Sequence, residues 1–264
     1  MQIDLKDKRA LVTGSSAGIG WAIASKLAES GAEVAVNGRT AERVQAAIAE
    51  LKAAIPGGRF VEAVGDVRTA EGCDAIAAAA GDIDILINNA GWFDPKEAFS
   101  IPDEDWTKAF ELNVMSGVRL TRHYGPKMRD KGWGRIVFIA SESGIQIPTE
   151  MIHYGFSKTA QLALTRGFAQ ALAQTGVTVN AVLPGPTRSE GVEGFLKTLA
   201  DQGGVSEADI ERDFFLHGRP SSLVKRFADP AEIADVVAFV CSKEAAIING
   251  APIRAEGGIL QSIA

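Results

Sequence analysis

The sequence predicts one doubly wound α/β domain, a seven-stranded parallel sheet with helices on both faces. Three observations predict it. Short β-branched runs alternate with longer helical patterns along the chain. The strand runs are apolar nearly throughout, as in Ile83-Asp84-Ile85-Leu86-Ile87 and Ile136-Val137-Phe138-Ile139, which suits strands covered on both sides. A glycine-rich turn follows the first strand and opens the first helix. An eightfold barrel is the competing reading, but seven strands and a phosphate-type loop after the first argue against it.

Arg9 to Thr13 is the first strand, and Ile19 to Ser30 an apolar-periodic helix stopped by Gly31. Glu33 to Asn37 is the second strand. Ala41 to Ala54 is a helix ended before Pro56-Gly57-Gly58. Phe60 to Val64 and Ile83 to Ile87 are strands on either side of a helix over Ala70 to Ala80. Asp103 to Arg129 reads as one long helix, with Pro126 marking its last turn or a break. Arg135 to Ile139 is the fifth strand, Tyr154 to Gln174 a long helix, and Val177 to Val182 the sixth strand. Ala231 to Cys241 is a late helix, entered through Asp229 as cap and Pro230 in the first turn. Ala251 to Ala255 closes the sheet. No composition shift marks a boundary, so residues 1–264 form one domain. Its irregular part, about 188–227, is polar and interrupted by glycine. Two short helical patterns, Gly194 to Asp201 and Ser206 to Leu216, fall within it, and Phe195, Leu196 and Leu199 could line a lid.

The 264 residues carry a net charge of −6, which excludes a basic nucleic-acid footprint. No apolar run is long enough for a membrane span, and the first residues lack a signal-peptide pattern. A cytoplasmic protein acting on a small molecule is expected. Cys73 and Cys241 show no metal-ligand spacing, and with three histidines spread along the chain no metal site is expected.

Gly14, Ser15, Ser16, Gly18, Ile19 and Gly20 form the turn after the first strand. Glycines there let backbone N–H groups approach a pyrophosphate at the helix N-terminus. The same residues fit the G-x-S-x-G elbow of serine hydrolases, with Ser16 as nucleophile and His217 as base. Such elbows normally follow several strands, and this reading leaves Tyr154 without a purpose. Asn37, Arg39 and Thr40 end the second strand, where a ribose would lie. No acidic residue is present. Arg39 can meet a 2′-phosphate, so NADP(H) is favoured, with NAD(H) the alternative.

Tyr154 and Lys158 are four residues apart and share a helix face. A phenol with a pKa near ~10 exchanges protons poorly at neutral pH. A neighbouring ammonium is expected to stabilise the phenolate and make it a usable acid/base. Ser141 follows the fifth strand, and its hydroxyl can reach the same crevice.

These motifs, with Asp66-Val67, Asn88-Asn89-Ala90-Gly91, Leu112-Asn113-Val114 and Pro184-Gly185 followed by Thr187, resemble the short-chain dehydrogenase/reductase family from about Leu5 to Ile259. The resemblance implies a Rossmann-like fold and NAD(P)-dependent oxidoreduction. It implies Tyr154 as general acid/base, Lys158 as its tuner and ribose ligand, and Ser141 as the group that polarises the carbonyl. Asn113 would anchor a water in a proton relay to Lys158. Asp66 and Val67 would contact adenine, and Asn89, Ala90 and Gly91 would lie along the adenosine. Pro184, Gly185 and Thr187 would meet the carboxamide. It also implies a homotetramer or homodimer, with the two long helices at an interface. The chain departs from the pattern at Ala255-Glu256-Gly257-Gly258, where relatives often have aspartate before the glycines.

Trp92, Phe93 and Ile147 are candidates for an apolar pocket, with Gln146 and Ser143 beside them. His153 should point about 100° away from Tyr154, on the surface or in a structural place. The leading expectation is an NADP-preferring ketone or 3-oxoacyl reductase. An NAD-linked alcohol or sugar dehydrogenase is the enzymatic alternative, and a non-catalytic dinucleotide-sensing interaction protein the alternative of another class.

Overall fold

The computed structural model describes residues 3–189, 192–194, 196 and 203–263. Seven strands pair in parallel in the order β3-β2-β1-β4-β5-β6-β7. They are β1 Arg9–Val12, β2 Glu33–Gly38, β3 Arg59–Val64, β4 Ile85–Asn88, β5 Gly134–Ile139, β6 Val177–Pro184 and β7 Pro252–Ala255. Alternate residues of each strand feed two cores. Ala10, Val12, Val34, Val36, Ile85, Ile87, Val137 and Ile139 pack against α1 Gly18–Glu29, α2 Ala41–Ala54 and a late helix over Pro230–Cys241. Leu11, Ala35, Leu86, Ile136 and Phe138 pack on the other face against α3 Ala70–Ala80 and the two long helices. Each fully buried Leu, Ile or Val contributes about 1.5–3 kcal/mol, so both layers hold the sheet between them.

The run after β4 departs from a plain α-helix. It begins as α4 Asp103–Ala109, widens into a π turn over Phe110–Met115 and continues as α5 Ser116–Lys131. The π turn carries Asn113, which is fully buried. Pro126 neither ends nor breaks α5, which runs on to Gly132 at φ +75. Tyr124 and Met128, both fully buried, anchor the helix across the proline. The next helix, α6, spans Ile152–Ala171 and so begins two residues before Tyr154.

In the insertion, α7 Glu207–Asp213 starts on a capping box of Ser206 with Asp209 and passes into a π turn, Phe214–Gly218. Phe215, Phe227 and Leu196 form a small core of their own, with Phe214 stacked on Phe227. The helix expected over Gly194 to Asp201, with Phe195 and Leu199, lies largely outside the described residues. The chain returns to the main body through α8 Pro230–Cys241, capped by Asp229 with Glu232. No helix among the described residues is long and apolar enough to cross a membrane.

Candidate active site

Strand order reverses at β1, which pairs with β2 on one side and β4 on the other. A doubly wound sheet opens a crevice at the carboxyl ends of such strands. The glycine turn after β1, Arg39 after β2 and the Asn-Asn-Ala-Gly turn after β4 surround it.

The glycine turn is held from behind. Gly14 and Gly18 take φ +61 and +58, and a Cβ on Gly20 would stand 2.3 Å from the Gly14 carbonyl oxygen. The Thr13 hydroxyl accepts the N–H groups of Asn89 and Ala90 at 2.9 and 3.0 Å. The Asn89 amide donates to the carbonyls of Thr13 and Gly14. Ser15 Oγ donates to Val12 O at 2.7 Å and accepts from Asn37 N at 2.9 Å. Asn37 Oδ1 accepts from Gly14 N, and its Nδ2 donates to the carbonyls of Ala63 and Gly65. The buried side chains of Ser15 and Asn37 are therefore spent on bracing the turn. Ser16 remains partly exposed at its outer side. His217, proposed as its partner in the hydrolase reading, is exposed and pairs with Asp213; no bond joins it to Ser16 among the described residues.

Arg39 is exposed at the end of β2, while Thr40 caps α2 by accepting from Arg43 N. Asp66 takes the Arg68 guanidinium at 2.9 and 2.5 Å, and that hydrogen bond holds its carboxyl below the usual range. Val67 is buried in the core beside Cys73. Thr187 Oγ1 donates to Gly185 O, and Gly185 lies so close to Glu256 that a Cβ would come within 2.7 Å of its carbonyl oxygen. Glu256, at the departure from the family pattern, is buried and bonds Arg254 and the Ile259 N–H.

Four expected catalytic residues meet across the crevice. Asn113 Nδ2 donates to Trp92 O at 2.9 Å and to Ser157 Oγ at 2.8 Å, and its Oδ1 accepts from Trp92 N at 2.8 Å. The π turn frees this fully buried side chain to reach across to the loop after β4. Lys158 Nζ donates to Ile139 O at 2.8 Å, lies 3.3 Å from Gln161 Oε1 and sits 5.5 Å from the centre of the Tyr154 ring. Gly91 lies beside it, since a Cβ there would be 3.5 Å from Nζ, at ordinary contact. Burial pushes Lys158 down to about 7. Burial, and then the Glu142 charge, push the Tyr154 phenol above its ordinary range; a hydrogen bond with Ser141 and the Arg219 charge oppose this. The expected lowering of Tyr154 by its ammonium neighbour is thus reversed, because both groups are desolvated together.

Three further groups were not anticipated. Gln161 donates from Nε2 to the backbone carbonyl of Asn113 at 2.6 Å. Its spacing of three from Lys158 on one helix face was a readable signal. Glu142 is buried and accepts from Ser141 Oγ at 2.5 Å. Arg219, from the insertion, donates to Glu142 Oε1 at 3.2 Å, and nothing in its sequence surroundings marks it.

Of the substrate candidates, Phe93 packs edge-on to Tyr154 with centroids 5.9 Å apart. Trp92 instead packs against His153 and under the Lys108 ammonium. Ser143 is buried and its N–H donates to Ser141 Oγ at 3.1 Å. Gln146 and Ile147 are exposed, Ile147 lying over Gly155. His153 is fully buried against Trp92 and Trp106, with neither ring nitrogen hydrogen-bonded, so it takes the structural place rather than the surface one.

The chain is similar to known proteins over its whole length. Residues 8–200 match the family model described as short chain dehydrogenase. The uncharacterized oxidoreductase YvaG of Bacillus subtilis (strain 168) is 46% identical over 100% of both chains. D-beta-hydroxybutyrate dehydrogenase of Rhizobium meliloti (strain 1021) is 32% identical over 95% of this chain and 98% of its own. The crystal structure of L-sorbose reductase from Gluconobacter frateurii, complexed with NADPH and L-sorbose, superposes with a TM-score of 0.93 at 32% identity over 100% of both chains.

Proposed function

The chain belongs to the short-chain dehydrogenase/reductase family, and from that membership we propose an NADPH-dependent reductase of small hydroxylated ketones that uses Tyr154 as its acid. It is an oxidoreductase by family. The finer reading rests on one observation above all: Tyr154, Ser141 and Lys158 converge in the crevice on whose far side Arg39 closes β2.

The residues present fit a dinucleotide. The left-handed glycines leave a backbone cradle at the start of α1. Gly14, Gly18, Ile19 and Gly20 would hold the pyrophosphate, and Lys158 the nicotinamide ribose. Arg39, exposed at the end of β2, would meet a 2′-phosphate. The bound cofactor supplies the hydride. The protein then holds the substrate carbonyl against Ser141 and Tyr154, and the phenol gives its proton to the carbonyl oxygen. A raised phenol pKa keeps Tyr154 protonated over a wide pH range.

Glu142 and Arg219 support a polar substrate rather than a long acyl chain, since they set an ion pair beside the serine. The neighbour bound to L-sorbose supports the same class. We extend the reading to a homodimer or homotetramer through α4–α5 and α6, where Phe110 and Phe156 are exposed. A rate screen of ketoses, simple ketones and acyl thioesters with NADPH and NADH tests the proposal. Ketoses with NADPH should lead; a preference for NADH or for acyl thioesters would overturn it.

A further inference from the structure

Ser141 has one proton and two acceptors for it. Its Oγ donates to Glu142 Oε2 across 2.5 Å, since a carboxylate can only accept. The Ser143 N–H donates to the same Oγ at 3.1 Å. To polarise a substrate carbonyl, the hydroxyl must turn from Glu142 to the carbonyl oxygen. Glu142 Oε2 then loses its donor.

That loss matters because Glu142 is enclosed. Its side chain is 6% exposed, and it opens the turn Glu142–Gly144 directly after β5. Its other oxygen accepts from Arg219 Nε at 3.2 Å, and Arg219 lies 3.8 Å from Glu150. The guanidinium therefore fixes one oxygen and leaves the other on the serine. A buried carboxylate oxygen stripped of its hydrogen bond is costly. A substrate with its own O–H beside the carbonyl removes that cost, and one with a methyl group there does not.

We propose that Glu142 is a specificity-determining residue that selects ketones with a hydroxyl on the carbon next to the carbonyl. On binding, two hydrogen bonds replace one. Ser141 Oγ donates to the carbonyl oxygen, and the substrate hydroxyl donates to Glu142 Oε2. The two substrate oxygens sit on adjacent carbons, as the two protein groups sit on adjacent residues in contact. The exchange frees the serine proton for the carbonyl, where reduction needs it, and leaves Glu142 paired. The same carboxylate opposes a keto acid, whose negative charge would stand in place of the hydroxyl. Arg219 does not offset this, because Glu142 and Glu150 both face it. The inference rests on the reading of Ser141 as the group that polarises the carbonyl, and it names the substrate class of that site.

Three ketones of similar size test it: hydroxyacetone, butanone and pyruvate. They differ only in the group beside the carbonyl, which is a hydroxymethyl, an ethyl and a carboxylate. With NADPH, the wild-type kcat/KM should favour hydroxyacetone over butanone by about 10–100-fold and be lowest for pyruvate. Glu142→Met removes the acceptor and should cut the first preference at least about tenfold. Glu142→Gln keeps an acceptor oxygen but drops the charge. It should retain part of that preference and raise pyruvate relative to hydroxyacetone by about tenfold or more. Each comparison is a ratio within one variant, so a smaller folded fraction cancels. The change between variants decides, because a hydroxyl activates its neighbouring carbonyl equally in all of them. Ratios that stay at the wild-type value in both variants would overturn the proposal.

A second readout needs no turnover. Enzyme loaded with the oxidised cofactor cannot reduce a ketone, so the affinities of hydroxyacetone and butanone for that complex can be titrated by saturation-transfer NMR. Hydroxyacetone should bind about tenfold more tightly to the wild type, and the two should bind alike to Glu142→Met. Equal affinities in the wild type would overturn the role of Glu142. Absence of ketone reduction by the wild-type enzyme would count against the reductase reading, while these affinities still decide this one.

Discussion

The side-chain amide of Gln161 donates to the backbone carbonyl of Asn113 across 2.6 Å. The same amide accepts from Lys158 through its oxygen. It therefore joins α6 to the π turn at the base of the active site, using both ends of one buried side chain. Gln161→Leu would leave that carbonyl without the amide and Lys158 with one partner fewer. A loss of about 1–3 kcal/mol in stability is expected, measured by urea unfolding, together with reduced turnover. Unchanged values of both would show that the link is incidental.

Arg39 is expected to select the cofactor. A charge-assisted bond is worth about 1.5–3 kcal/mol, so Arg39→Ala should raise the KM for NADPH by about 10–100-fold. The KM for NADH should stay within a few-fold. Steady-state kinetics with both cofactors check this, and equal effects on the two would remove the 2′-phosphate assignment.

Gly20 leaves no room for a methyl group. A Cβ would meet the Gly14 carbonyl oxygen at 2.3 Å and Asn89 Nδ2 at 2.5 Å. Both belong to the cradle, and neither is the free end of a long side chain. Gly20→Ala should cost about 1–3 kcal/mol and weaken NADPH binding at least tenfold by fluorescence titration. Binding that survives intact would place the cofactor elsewhere.

His153 gives a pH signature. Burial holds its pKa below the ordinary value, so the folded protein resists a proton that the unfolded chain takes up below about pH 6.5. Stability should therefore fall as pH drops through that point. His153→Leu removes two buried nitrogens with no partner and should flatten that fall. Thermal melts at pH 5 and pH 8 check it: the variant should gain more at pH 5. A residual slope remains from His123, which burial shifts in the same direction.

The sheet was legible because its strands announce themselves locally. Val34, Val36, Ile85 and Ile87 on one face and Ala35 and Leu86 on the other are all apolar, and glycines follow several of the strands. Tyr154 and Lys158 were legible for the same reason, since one helix turn relates them. Asn113 could be named from its motif, but the π turn that aims it could not, because the extra residue is absorbed without any break in the apolar pattern. Glu142 and Arg219 were not legible. They lie 77 residues apart, and only the docking of the insertion brings them together. That the Trp92 ring packs on His153 was not legible either, because hydrophobicity alone does not say which neighbour a ring meets.

The central claim is that Tyr154 hands the proton to the substrate. Tyr154→Phe keeps the ring and removes the hydroxyl. Single-turnover hydride transfer from NADPH to a ketose, followed at the NADPH absorbance, should slow by about 10²–10⁴-fold while NADPH affinity stays within a few-fold. Transfer at the wild-type rate in that variant would contradict the account.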